Sequence, residues 1–275
     1  MPTTRQLMKC LHMIGSHVSI SARTPRIIQK MNDKLDLGIE MIVYDMNTDK
    51  ELSNYLLTIR SDPNWFGTFI TNPLKSKLHA HQSIQFDKTI PKSLLVYNLL
   101  TKTQKGFQLM NTDYMALTKI LSSFDTSNVV ILGNGSMYKA LSHLLRRLKT
   151  ISSICCVCRQ PRNNDEIDIA NKTLVRKSLN KCSLFINATP CGSAGRSAFP
   201  SSFDIEAMDP IQCKVLDMVH THYLNSLKDR CISIGISYTD GIWMNNLQAY
   251  FGIKHIFNDL SKISIEEFSS IADAA

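Results

Sequence analysis

Apolar and polar positions along this chain follow two periods, and the switches between them mark its elements. From residue 128 onward, short β-rich runs at 128–132, 153–158, 183–187, 214–219 and 231–236 are separated by stretches with helical spacing. Short apolar strands alternating with helical segments predict a parallel sheet covered on both faces. The stretch after the first run sets Met137, Ala140, Leu141, Leu144, Leu145 and Leu148 at the spacing of a buried helical stripe. Its last turn is expected to carry Arg146, Arg147 and Lys149, where cations suit the helix dipole.

The first 110 residues alternate less regularly. RQLMKCLHMIG, MIVYDM, FGTFIT and LLVYNLL read as strands, with helices after Pro25 and near Leu52 to Arg60. The C-terminal segments GIWMNNLQAYFG and NDLSKISIEEFSSIADAA read as helices. The expected fold class is α/β: an N-terminal α/β domain, a Rossmann-like domain, and C-terminal helices returning to pack on the first domain. A cleft between the lobes is the expected place for a ligand.

A length of 275 residues allows two domains of ordinary size or one large α/β unit. With 44% hydrophobic and 20% charged residues the composition is that of a soluble globular protein. The net charge of +8 attracts phosphates, carboxylates or nucleic acid without choosing among them. Basic residues come in ones and twos without aromatic interleaving, so a dedicated nucleic-acid surface is not expected. The eight cysteines lack the paired spacing of a zinc site. Cys155, Cys156 and Cys158 lie in the β-like run SICCVC, where cysteine acts as a small hydrophobe. The pairs His79/His81 and His220/His222 have no third ligand nearby in sequence, and no metal site is expected. The opening residues have neither a sustained apolar core nor a cleavage signal, and no apolar run approaches membrane-spanning length. Reduced thiols and the absence of an export signal point to the cytoplasm.

Candidate chemistry begins at VVILGNGSMYKAL, residues 129–141. Gly133 permits a tight turn and Gly135 lets the backbone approach a pyrophosphate, while the helix start at Ser136 supplies free N–H groups. Two glycines alone fit either a cofactor loop or an ordinary strand-to-helix turn. A dinucleotide fingerprint has a small residue at position 138. Tyr138 therefore requires a shifted helix or a ring turned toward the cleft. After the second run the chain reads CRQPR, with Arg159 and Arg162 available for a 2′-phosphate where an NAD site carries Asp or Glu. This favours NADP.

Four segments, GTFITNPLK (67–75), NTDY (111–114), INATPCG (186–192) and GIWMNNLQAYF (241–251), resemble in order and spacing the shikimate dehydrogenase family. The resemblance implies a substrate domain of residues 1–112 completed by 241–275, and an NADP-binding Rossmann domain of residues 113–240. It implies reversible hydride transfer between NADP and C3 of shikimate, with Lys75 and Asp113 as the catalytic pair facing the reacting hydroxyl. A lysine acting as base must be tuned below a reference pKa of ~10.4, so Asp113 is expected to orient the hydroxyl and Lys75. Thr71, Asn98 and Gln248 match substrate-binding positions, and Gly133, Gly135, Ser136, Arg159, Asn187 and Thr189 match the cofactor side. The family's S-x-S carboxylate site falls in VSISARTP. An alignment with a short insertion selects Ser19 and Ser21; alignment on Pro25 selects Ala22 and Thr24. Arg23 lies beside either and has the geometry to pair with a carboxylate.

Several positions depart from the family pattern. Phe69 replaces an asparagine, Leu99 a threonine, His220 a tyrosine, Tyr138 a small residue and Cys158 an asparagine, while Tyr114 stands where glycine is common. The resulting expectation is an NADP-dependent dehydrogenase acting on shikimate or a close cyclic polyol carboxylate such as quinate. Its partner is a small molecule, with neither nucleic acid nor membrane, and the chain is a monomer or homodimer. The rival is a catalytically idle ligand-binding protein on the same fold.

Overall fold

The computed structural model describes residues 9–78, 84–86, 94, 96–104, 106–193, 196–220, 226–257 and 262–274. The chain forms two compact units, Met1–Ala116 with Asn245–Ala275, and Leu117–Met244.

The first unit begins β1 (Lys9–Gly15), α1 (Val18–Ser21), α2 (Thr24–Leu35), β2 (Ile39–Asp45), α3 (Asp49–Ser61) and β3 (Trp65–Ile70). It continues with β4 (Ile84–Phe86), β5 (Leu99–Thr103), β6 (Gly106–Met110) and the start of α4 (Thr112–Leu121). Its mixed sheet has the order β2-β1-β3-β5-β6-β4, with β5 antiparallel to both neighbours. Thr48 and Glu51 form a reciprocal capping box at α3, satisfying otherwise orphaned N–H groups. Among the described residues of the LLVYNLL run, Leu99 and Leu100 enter a strand, while residues 96–98 turn their polar groups to other work described below.

The core of this unit is closed by its last two helices, α8 (Gly241–Ile256) and α9 (Ile265–Asp273). Ala249, Tyr250, Ile253, Phe257, Phe268 and Ile271 pack with Leu11, Met13 and Phe69 of the sheet. Phe69 faces Leu99 across the β3–β5 ladder, and both are buried. The Phe69 ring occupies the space where a side chain on Gly252 would begin, with a Cβ there 2.5 Å from the ring. Gly252 is thus the opening in α8 that admits Phe69.

The second unit contains β7 (Asn128–Leu132), α5 (Ser136–Leu145), β8 (Ser153–Cys158), β9 (Glu166–Asp168), α6 (Lys172–Leu179), β10 (Leu184–Asn187), β11 (Lys214–Asp217), α7 (Ser226–Ser233) and β12 (Ser237–Thr239). Its sheet is parallel throughout, in the order β12-β11-β10-β7-β8-β9. The expected strand at 231–236 is instead the end of α7. Leu227 and Cys231, one turn apart, bury one face of that helix, and Gly235 at φ +78° ends the turn before β12 begins. The helix after the glycines is also shorter than its stripe implies. It stops at Leu145, so Arg146 forms its C-cap and Arg147 and Lys149 lie beyond its last turn.

Gly252→Ala is expected to destabilise the protein by about 1–3 kcal/mol through overpacking against Phe69. Chemical denaturation of this variant and of Gly252→Ala combined with Phe69→Leu checks the cause, since shortening the ring should return part of the loss.

Candidate active site

The sequence NTDY acts as a single structural device at the start of α4. Asn111 caps the helix, its Oδ1 accepting the Tyr114 N–H at 2.8 Å, while its Nδ2 donates to Val96 O at 2.7 Å. Thr112 bonds Asn98 twice: its N–H donates to Asn98 Oδ1 at 2.7 Å, and its Oγ1 accepts from Asn98 Nδ2 at 2.9 Å. Asn98 Nδ2 also donates to Gln248 Oε1 of α8 at 3.1 Å. Asp113, in the first turn of α4, is thereby fixed in place.

Opposite it stands Lys75, on the 3-10 turn Leu74–Ser76 that follows β3. The turn is held at both ends: Thr71 N–H donates to Ile14 O and Thr71 O accepts the Leu74 N–H, each at 3.0 Å. Lys75 O accepts the Tyr97 N–H at 3.0 Å, tying the turn to the segment that carries Asn98. Lys75 Nζ donates to Asp113 Oδ2 at 2.6 Å, with 19% and 12% of the two side chains exposed. Thr71, Lys75, Asn98, Asp113 and Gln248 thus lie in one unit, with Lys75 bonded to Asp113 and Asn98 bonded to Gln248. A half-buried ion pair beside neutral amide and hydroxyl groups can exchange a proton with a bound hydroxyl and orient a polyol.

The expected carboxylate site is arranged differently. The Ser19 hydroxyl and N–H both donate to the Asp45 carboxylate, and these bonds hold the Asp45 carboxyl below its usual range. A substrate carboxylate at Ser19 would therefore meet another carboxylate. The Ser21 side chain lies outside the described residues. In the alternative register Thr24 is buried and Ala22 packs against the core. Arg23 is not available to a ligand carboxylate: its guanidinium donates to Asn246 Oδ1 and Ala272 O and lies 3.8 Å from Asp273. It pins α2 to the C-terminal helices instead. His79, His81 and His222 also lie outside the described residues, and no cluster of three metal-binding side chains occurs among those described.

In the second unit, a cleft of about 880 Å³ opens at the glycine turn. Gly133, at φ +102°, has Thr189 Cγ2 2.8 Å from where a Cβ would sit. Gly135 is the N-cap of α5 without a side-chain cap and has open space at its Cβ position. Ser136, the first residue of α5, is exposed. Backbone N–H groups left uncapped beside a cleft that a Cβ would narrow fit a phosphate group. Cys158 and Arg159 from the end of β8 line the same cleft, with Thr189 and Arg196 from the other side. No ion pair is formed by Arg159, Arg162 or Arg196 among the described residues. Arg196 was not picked out by the sequence because its loop has no local pattern; only the fold returns it to the glycine turn.

Asn187 does not line the cleft. It is fully buried, donating to Asp217 Oδ1 at 2.9 Å and accepting the Thr189 N–H at 3.1 Å and hydroxyl at 2.7 Å. Asp217 also accepts from Tyr238 at 2.8 Å. Asn187 therefore positions Thr189, which does line the cleft.

Tyr138 does not line the cleft. Its ring is buried and its hydroxyl donates to Asp165 Oδ2 at 2.9 Å, the same oxygen that accepts from Arg146 at 2.5 Å. Burial, followed by the bond to Asp165, pushes the phenol well above its usual range, so it remains the donor. β8 and β9 are parallel neighbours joined only by residues 159–165, whereas such pairs ordinarily need about a dozen or more residues, usually a helix. Tyr138 and Arg146 hold that short connection down onto α5.

A parallel sheet carrying a glycine turn at a helix start, beside a mixed α/β unit with its own ion pair, defines the two-unit class in which one unit is a dinucleotide-type Rossmann fold. No family model and no curated protein matches the sequence. Solved structures do match. Shikimate 5-dehydrogenase from Listeria monocytogenes, in complex with shikimate and NAD, superposes with a TM-score of 0.81 at 16% identity over 96% of each chain. The Thermus thermophilus shikimate 5-dehydrogenase in complex with NADP(H) and shikimate gives 0.79 at 17% identity, covering 97% of this chain and 99% of that one. Quinate dehydrogenase from Corynebacterium glutamicum in complex with NAD also gives 0.79, at 16% identity and the same coverage. The chain has the shikimate dehydrogenase fold, in a divergent sequence.

Tyr138→Phe is expected to lose about 1–2 kcal/mol of stability while preserving the packed ring, since one buried donor to a carboxylate disappears. Urea unfolding checks the loss, and a double-mutant cycle with Asp165→Asn should show that most of it is shared.

Proposed function

We propose that this protein is an NADP-dependent oxidoreductase that interconverts shikimate and 3-dehydroshikimate, or a close cyclic polyol carboxylate and its ketone. The observation that carries the reading is the Lys75–Asp113 pair at 2.6 Å, half-buried beside the Asn98–Thr112–Gln248 network. The glycine turn and the cations around its cleft support a phosphorylated dinucleotide, and the fold shared with shikimate and quinate dehydrogenases supports the reaction class.

Bound NADP supplies the hydride acceptor. In the oxidising direction Lys75 Nζ takes the proton from the reacting hydroxyl as the C–H hydride leaves; in the reducing direction the ammonium returns that proton to the forming alkoxide. Asp113 orients Nζ by accepting its N–H, while Asn98, Thr71 and Gln248 bond the neighbouring ring hydroxyls. Gly133, Gly135 and Ser136 take the pyrophosphate, Arg159 the 2′-phosphate, and Thr189, set by Asn187, borders the nicotinamide. The ligands are small molecules, with no role for nucleic acid or membrane; no helix among the described residues is long and apolar enough to cross a membrane. The site needs no second chain, so a monomer or homodimer in the cytoplasm completes the reading.

The second reading within this reaction class is quinate or another cyclic carboxylate, since the resemblance has polar residues where this chain packs Phe69 against Leu99 in the core next to Thr71 and Asn98 in sequence.

Absorbance-monitored reduction of NADP with shikimate, beside quinate and beside NAD, tests the proposal. Turnover with one of these pairs is expected, and Lys75→Ala should lower kcat by about a hundredfold or more with NADP affinity changed less than about twofold. Folded protein that binds these ligands without turnover would establish the idle ligand-binding rival. Wild-type turnover in the Lys75 variant would remove this residue from the acid/base role.

A further inference from the structure

The short connection between β8 and β9 places a carboxylate where the sequence shows only arginines. Glu166 opens β9, paired with Cys156 of β8, and its side chain reaches toward the glycine turn. Glu166 Oε2 accepts the Arg162 N–H at 2.7 Å, Asn134 Nδ2 at 3.2 Å and the Cys158 thiol at 3.6 Å; Oε1 accepts Asn163 Nδ2 at 2.9 Å. Asn134, between the two glycines, also donates to Gln160 O at 3.0 Å.

These bonds join two segments that border one cleft. Asn134 belongs to the glycine turn; Gln160, Arg162 and Asn163 belong to the segment that carries both arginines. Four donors converge on one carboxylate, three on Oε2 and one on Oε1, so both oxygens are engaged within the protein. Desolvation works to raise its carboxyl, and the bonds from Arg162, Asn163, Asn134 and Cys158 outweigh that and leave it lowered. The charge is spent inward, while the guanidinium groups of Arg159 and Arg162 remain exposed and without ion pairs among the described residues. A connection this short has no helix to hold it, and each arginine that must be ordered on ligand binding costs affinity.

We propose that Glu166 is a positioning residue that locks the 159–163 segment to the glycine turn and thereby sets the preference for a 2′-phosphorylated dinucleotide. The inference rests on the NADP reading, which it deepens by naming what orders the arginines. An amide replaces the carboxylate only in part, because its NH₂ would face at least one of these donors, and alanine removes all four bonds.

The test compares wild type, Glu166→Gln and Glu166→Ala as full chains, with 2′,5′-ADP and 5′-AMP as probes in titration calorimetry. Glu166→Gln should weaken 2′,5′-ADP by about tenfold or more and 5′-AMP by less than about threefold, with kcat at saturating cofactor and thermal stability close to wild type. In the ligand-free protein, amide exchange across residues 159–163 should accelerate by about tenfold in both variants. Unchanged exchange in both variants would overturn the lock. Tighter 2′,5′-ADP binding by the Gln variant would overturn it as well, by showing that the carboxylate opposes the phosphate. Wild type that binds 2′,5′-ADP no better than 5′-AMP would sink the NADP reading and the selectivity role together, and the exchange rates then decide whether Glu166 is a lock at all.

Discussion

Everything proposed for the first unit depends on keeping an ammonium and a carboxylate 2.6 Å apart on two separate turns. Neither turn holds its charge unaided. Asp113 sits in a first helical turn capped by Asn111 and bonded through Thr112 to Asn98, and Lys75 sits on a 3-10 turn whose backbone is tied to β1 and to Tyr97. An ion pair drawn partly out of water gains little unless its surroundings satisfy the remaining polar groups. Here Asn98, which bonds Thr112 at the helix start carrying Asp113, and its partner Gln248 are also suited to bind a ring of hydroxyls, so the scaffolding of Asp113 and the proposed recognition of the substrate share residues.

The second unit solves a different constraint. Without a crossover helix between β8 and β9, the connection must be anchored by side chains. Asp165 is held from α5 by Tyr138 and Arg146, and the next residue, Glu166, faces the glycine turn. The large residue that breaks the dinucleotide fingerprint thus has a local cause: it fills and tethers the ground beneath a shortened connection. The ring stays away from the glycine turn, where Gly135 keeps open space at its Cβ position.

The α/β class and the parallel sheet of the second unit were legible because each rests on local pattern, apolar runs and a glycine turn, whereas the joining of Lys75 with Asp113 was expected only from the family resemblance of their two motifs. The strand expected at 231–236 failed because a helix burying only Leu227 and Cys231 leaves an apolar run that periodicity cannot distinguish from a strand. The partners that engage Arg23 and Ser19 in the structure, Asn246 and Asp45, were not legible because they are remote in sequence. Asn187 reads as a ligand-facing polar residue until Asp217, thirty positions on, is seen to bury it. Glu166 and Arg196 carried no motif at all; only the return of their segments to the glycine turn makes them visible.

The central claim is that this chain moves a hydride between a cyclic polyol carboxylate and a nicotinamide. Incubating the protein with NADP and shikimate deuterated at C3, then weighing the recovered cofactor by mass spectrometry, tests it most directly, with C-deuterated quinate run in parallel. The account predicts reduced cofactor one mass unit heavier than with unlabelled substrate. Cofactor recovered fully oxidised from both substrates, or reduced without the label, would contradict it.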